Sequence, residues 1–186
     1  AIVGLMITAV VMLFIAPAVK LESPGPLIFK QKRVGKNGRY FYIYKVRSMY
    51  QDAEARKAEL MEKNEMKGFM FKMTDDPRIT KVGKFMRRTS LDELPQLFNI
   101  LKGDISIVGL IPVMEVETEI YGNYRDMLLS VKPGLTGFRA ANGRSCTSYA
   151  RRRAMEICYI KNRSVCFDLK IILKTITSVF KGEGAV

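Results

Sequence analysis

The run "TSLDELPQLFNILKGDISIVG" (89–109) carries a helix start, a helix stop and a strand in close succession. Ser90 with Glu93 three residues on is a capping-box pattern. Asp92 in the first turn suits the helix dipole. Pro95 does not suit that helix. With Ser90 as cap it falls at the fifth helical position, deletes a backbone hydrogen bond and crowds the Leu91 carbonyl, a defect of about 3 kcal/mol. A bent first turn is therefore expected, with Asp92 and Glu93 held in a fixed geometry. Adjacent carboxylates repel unless a cation or a shared proton intervenes. Arg87, Arg88 or a Mg²⁺ ion can supply that charge. The helix is expected to end near Gly103 and give way to a short apolar strand. Capping alone also explains Ser-x-Asp-Glu, so the bare tetrapeptide does not separate capping from chemistry.

The rest of the composition sharpens the question. The chain has 186 residues, 48% of them hydrophobic, enough for a real core. Lys and Arg outnumber Asp and Glu by 31 to 18, a net charge of +13. Such a balance predicts an anionic partner: nucleic acid, acidic phospholipid or a phosphorylated substrate. There is no histidine, so a general base must be Asp, Glu, Cys, Lys or Tyr. Cys146, Cys158 and Cys166 fit no common zinc spacing and read as reduced thiols facing the cytosol. A bound metal should be a hard, oxygen-liganded ion such as Mg²⁺.

"AIVGLMITAVVMLFIAPAV" (1–19) has no charge before Lys20 and reads as a membrane helix, bounded here as 1–22. It lacks the basic start and the cleavage site of a signal peptide. A buried core helix is the alternative. Pro17 should interrupt its last turn. Whether the segment spans or dips is left open, and a chain starting at Ala1 reads as a piece of a longer one. Lys30, Lys32, Arg33, Lys36 and Arg39 follow closely, which favours the cytoplasmic side and anionic headgroups. A solvated charged loop would look the same.

Beyond it, residues 23–186 read as one mostly helical α+β domain. "LIFKQKRVG" and "RYFYIYKVRSM" predict a strand pair around the turn 35–39. Alternation puts Phe41, Ile43 and Lys45 on one face, and Tyr42, Tyr44 and Val46 on the other. Residues 52–68 predict a solvated helix closed by Gly68. Residues 74–88 predict a helix capped by Asp75 or Asp76, with Pro77 at its first position. Its stripe of Ile79, Val82, Phe85 and Met86, edged by Lys81, Lys84, Arg87 and Arg88, suits either a membrane interface or a protein core. Residues 132–145 read as a glycine-rich loop, 148–164 as a basic helix, and 167–184 as an amphipathic helix. In the last, Leu169, Ile172, Leu173, Ile176 and Phe180 share a face.

Six stretches carry a family resemblance: "SPGPLIFKQKRVGKNG" (23–38), "YKVRSM" (44–49), "DPRITKVGKFMRRTSLDELPQLFNILKGDISIVG" (76–109), "KPGLTG" (132–137), "NGRS" (142–145) and "FDLKIILKT" (167–175). In these the chain resembles the bacterial sugar transferases, the polyprenyl-phosphate glycosyl-1-phosphate transferases of the monotopic phosphoglycosyl transferase superfamily. The resemblance implies a re-entrant N-terminal helix, a cytoplasmic catalytic domain with interfacial amphipathic helices, and residence at the bacterial inner membrane. It implies transfer of a sugar-1-phosphate from a UDP-sugar to polyprenyl phosphate, with release of UMP and a need for Mg²⁺. Asp92 would be the nucleophile and Glu93 would assist it, as Mg²⁺ ligand or acid/base partner, with both carboxylates at the metal. Lys45, Arg87, Arg144 and Asp168 match polar positions of the family's site, and Arg88 joins this phosphate-binding set. Anionic lipid is a further implied partner, nucleic acid is not, and a homodimer is left open.

This chain departs from the family pattern in places. "GLIPV" (109–113) has Ile111 where an Arg is usual, and "FRAANGR" (138–144) replaces the usual continuation after "PGLTG". A non-catalytic membrane scaffold of the same ancestry is therefore the competing reading. The intact Asp92–Glu93 pair opposes it. A membrane-anchored nucleic-acid binder rests on net charge alone, with no supporting motif.

Overall fold

The computed structural model describes residues 1–65, 71, 73–142 and 149–181. Arg144, Cys146, Gly68 and the side chain of Phe180 lie outside the described residues. Eight helices and four strands are found among the described residues, in keeping with a mostly helical α+β chain.

Helix α1 (Ile2–Glu22) runs on through Pro17 and is unbroken at Thr8–Ala9. The expected interruption at Pro17 is thus corrected. Pro17 lies on the exposed face, while Ile15 and Val19 anchor the same turns inward, and Ser23 N–H still reaches Val19 O at 3.0 Å. The buried Thr8 hydroxyl is satisfied within the helix, donating to Gly4 O at 2.8 Å. Gly4, Thr8, Ile15 and Val19 form the packed stripe; a Cβ at Gly4 would stand 2.8 Å from Leu97 Cδ1. Ile2, Val3, Met6, Ile7, Val10, Leu13 and Phe14 face outward, each 58–76% exposed. A core helix would bury that surface. The helix is long and apolar enough to cross a membrane.

β1 (Ile28–Val34) and β2 (Tyr40–Val46) form the expected antiparallel hairpin, in register from Ile28↔Val46 to Val34↔Tyr40. Asn37, at φ 57°, turns the chain between them. The predicted 52–68 helix is reduced to α2 (Ala53–Lys57) and a 3₁₀ turn at Met61–Lys63. Only Ala53 is buried there, and a helix without an apolar face to pack is marginal in water.

α3 (Lys81–Thr89) starts later than expected. Thr80 caps it, its Oγ1 accepting from Gly83 N–H at 2.8 Å, and neither Asp75 nor Asp76 does. A second cap comes from α1: Glu22 accepts from Lys81 N–H at 2.6 Å and Val82 N–H at 2.8 Å. Desolvation pushes the Glu22 carboxyl up, but these backbone bonds outweigh it and hold it below the usual range. Val82 and Met86 pack inward with Ile15, Val19 and Val46, whereas Phe85 stays exposed.

α4 (Gln96–Lys102) ends at Gly103 as predicted, in the left-handed region at φ 80°. β3 (Ser106–Val108) follows. α5 (Glu115–Thr118) and α6 (Arg125–Leu129) then make the crossover to β4 (Gly134–Thr136), which pairs with β3 in parallel. β4 lies inside what the sequence suggested was loop. α7 (Tyr149–Asn162) and α8 (Val165–Lys181) complete the chain, close to the predicted bounds. α8 turns Ile171 into the main core with Val108, Leu110, Tyr121 and Leu128, and leaves Leu169, Leu173 and Ile176 outside. Cys158 and Cys166 are free and exposed.

α7 is more than a basic surface helix. Arg152 is buried, with Nη1 at 3.2 Å from Glu117 Oε1 and Nε at 3.4 Å from Glu156 Oε1. Tyr121 donates its hydroxyl to Glu156, and Arg33 approaches Glu117 at 3.5 Å. Burial pushes the Glu156 carboxyl up despite Arg152. Arg152→Met is expected to destabilise the chain by about 3–5 kcal/mol, because it strands buried carboxylates. Chemical denaturation in detergent measures this, and an unchanged midpoint would show that the network contributes no net stability.

Candidate active site

The site forms where α3 meets α4. Ser90 sits at φ 58°, in the left-handed region, and closes α3 rather than opening a helix. The chain reverses there into a 3₁₀ turn, Leu91–Glu93, for which the Ser90 side chain is not the cap. The expected capping box is thereby corrected: the Glu93 carboxylate reaches Lys45 instead. Pro95 becomes the cap position of α4, where a missing N–H leaves nothing unsatisfied. The bend inferred from Pro95 is present, and the acidic pair lies in it.

Asn99 fixes this corner to the hairpin. It is fully buried, donates from Nδ2 to Tyr42 O at 2.7 Å and accepts Tyr44 N–H at 3.1 Å. The next strand residue is Lys45, whose Nζ lies 2.8 Å from Glu93 Oε1. Both side chains of that pair are about one-third exposed, so solvent screens it and its role is geometric rather than stabilising.

Asp92 is the buried member of the dyad, 7% exposed. Burial pushes its carboxyl above the usual range; Lys45 and Arg87 pull it down, while Glu93 adds to the rise. Arg87 comes from the last turn of α3 and donates from Nε to Ser48 Oγ at 2.9 Å. Desolvation lowers the Arg87 pKa, with Asp92 and Asp76 opposing. Arg88, next along the helix, is exposed, and Arg87 is the arginine that faces the dyad.

Asp76 was expected as a cap and belongs instead to this charged layer. Arg78 grips it with Nη2 at 2.7 Å and Nε at 2.9 Å, and its backbone N–H adds a third bond at 3.0 Å. Desolvation raises the Asp76 carboxyl, but the Arg78 bonds win and hold it low. The Asp-Pro-Arg spacing was the available signal, since proline fixes the turn that folds Arg78 back.

The structure therefore gathers Lys45, Arg87, Asp92 and Glu93. It does not gather Asp168 with them. Asp168 accepts the Tyr159 hydroxyl at 2.9 Å and lines a different cleft, whose walls contain neither dyad carboxylate. Among the described residues no group of three His, Cys, Asp or Glu side chains could hold a metal. The adjacent Asp92 and Glu93 offer oxygen donors only, which suits a Mg²⁺ ion that completes its shell with phosphate oxygens and water.

Comparison with known proteins identifies the family. A family model described as "Bacterial sugar transferase" matches residues 1–182. Galactosyl transferase CpsE of Streptococcus agalactiae serotype III is 48% identical over 186 residues, covering 100% of this chain and 41% of that protein. Undecaprenyl-phosphate galactose phosphotransferase of Salmonella typhimurium is 42% identical over 165 residues, covering 87% and 35%. Exopolysaccharide production protein ExoY of Sinorhizobium fredii is 38% identical over 189 residues, covering 100% and 84%. The chain thus spans less than half of the first two relatives and most of the third. With a match across nearly its whole length, the chain belongs to the bacterial sugar transferase family.

Proposed function

We propose that this chain transfers a sugar-1-phosphate from a UDP-sugar to undecaprenyl phosphate, an initiating step of exopolysaccharide or capsule synthesis. The observation that carries this reading is the placement of Asp92: buried, turned out of helix by Ser90, and flanked by Lys45, Glu93 and Arg87. An Asp92 oxygen attacks the phosphorus that bears the sugar. The bond from that phosphorus to the bridging diphosphate oxygen breaks, and UMP leaves with its electrons. The product on the enzyme is a phospho-aspartyl sugar. A lipid phosphate oxygen then attacks the same phosphorus, and the Asp92 carboxylate is released.

Arg87 and Lys45 supply positive charge where the phosphates gather, and the Ser48 bond orients the arginine. Glu93 holds Lys45, and with Asp92 it would hold the metal. Mg²⁺, when bound, offsets the diphosphate charge and improves the leaving group. Arg144 is proposed as a further phosphate ligand on the family pattern alone.

The apolar outward face of α1 supports a seat in the bilayer. Gly4 meets Leu97 of α4, while Val19, near the other end, packs with Val46 and Met86. A helix that touches the globular part near both ends fits a shallow, re-entrant seat better than a span, with that part on the cytoplasmic face. Labelling of an N-terminal cysteine tag from the periplasm would rule out re-entry.

The test of the activity is UMP release in native-like lipid with Mg²⁺ and a panel of UDP-sugars. UDP-galactose comes first, because two of the relatives bear galactose in their names. A stoichiometric burst of UMP without lipid acceptor is expected. No turnover with any common UDP-sugar sinks this reading and leaves the scaffold reading in its place.

A further inference from the structure

A second cleft, of about 370 Å³, opens at the start of α8. Three cations line it from three parts of the chain: Lys36 from the hairpin turn, Lys132 ahead of β4, and Arg163 between α7 and α8. All three are exposed, and among the described residues none is ion-paired. The one carboxylate in the walls, Asp168, accepts the Tyr159 hydroxyl. Three cations against one carboxylate leave an excess of positive charge in an open cleft, which attracts anions. The volume is at the lower end of ordinary ligand sites and admits a phosphate with its ester substituents.

The cleft also has an apolar exit. Val165 lines it and begins an outward stripe on α8 that continues through Leu169, Leu173 and Ile176, each 47–79% exposed. Positive charge at one end of an apolar track is the complement of an anionic amphiphile. We propose that this cleft binds the phosphate of an anionic membrane lipid, with the lipid tail along the outer face of α8. Its walls include neither Asp92 nor Glu93. It rests on the membrane seat proposed above, and it names a lipid-binding position that the dyad does not require.

The test uses the full chain and the double variant Lys132→Gln/Arg163→Gln, with Lys63→Gln as an exposed-charge control. Vesicles of phosphatidylglycerol and phosphatidylcholine in equal parts are compared with pure phosphatidylcholine. Each neutralised charge is expected to weaken binding to the mixed vesicles about fivefold, so the double variant falls by about 25-fold and the control is unchanged. Native mass spectrometry after detergent extraction should show one phosphatidylglycerol on the parent chain and none on the double variant. Retention of that lipid by the double variant overturns the site. Displacement of the lipid by inorganic phosphate at equal concentration also overturns it, since the cleft would then read the phosphate and ignore the tail. If the parent chain floats with neither vesicle, the membrane seat itself fails. If parent and double variant float alike with the mixed vesicles, only the lipid site fails.

Discussion

Asp92→Asn is expected to lose UMP release by roughly 10³-fold or more, to form no sugar-phosphate adduct, and to melt at a higher temperature than the parent chain. The first two effects follow from removing the proposed nucleophile. The third follows from burial. The folded-state pKa of Asp92 is raised, chiefly by desolvation. Between the unfolded and folded pKa values the folded chain binds the proton more tightly, so stability falls as pH rises through that window. Above it, the buried charge remains a net cost that Asn does not carry. Each kcal/mol recovered moves the thermal midpoint by about 2–4 °C in a chain of this size. A trapped adduct on the Asn variant rules out Asp92 as nucleophile. A lowered midpoint shows that Lys45 and Arg87 depend on its charge more than burial opposes it.

Gly83→Ala is expected to be the most disruptive small substitution near the site. A Cβ there would lie 2.0 Å from Ser48 O, 2.7 Å from Ser48 C and 2.8 Å from Thr80 Oγ1. Two of those atoms are backbone and cannot swing aside. The Ser48 carbonyl also accepts Thr80 N–H at 3.1 Å, so α3 is clamped to residues 47–49 at this point. Overpacking a core usually costs about 1–3 kcal/mol, and a clash with fixed backbone should reach or exceed the top of that range. The thermal midpoint would drop accordingly. The same displacement pulls Ser48 from Arg87, so UMP release at a permissive temperature should fall as well. A variant as stable and active as its parent would mean that α3 is not pressed against Ser48.

The hairpin was readable because two runs rich in aromatic and β-branched residues flank the turn at 35–39, but its buried face was not, since Ile43 and Val46 lie on opposite faces and both are buried. Pro95 was readable because a proline so placed cannot belong to a helix begun at Ser90. α8 was readable as amphipathic but not as oriented. Its apolar residues have two apolar media available, and sequence does not say which the Leu169–Leu173 face meets. The start of α3 was missed because two cap candidates lie four residues apart, and Arg78 takes Asp76 away from that role. β4 has three residues, too few for a pattern, and pairs only with a strand distant in sequence. At the site, the dyad and Lys45 were legible from the family resemblance. The separation of Asp168 was not, because it depends on where α8 starts relative to Tyr159.

Glu22 ends the apolar helix and opens the one that carries Arg87. The two helices consequently share one joint, and the charged corner has no vertical freedom of its own. That joint is made by the Glu22 carboxylate together with the packing of Ile15 and Val19 on Val82 and Met86. Under the proposed function, the depth of α1 in a bilayer would set the height at which the two proposed substrates meet.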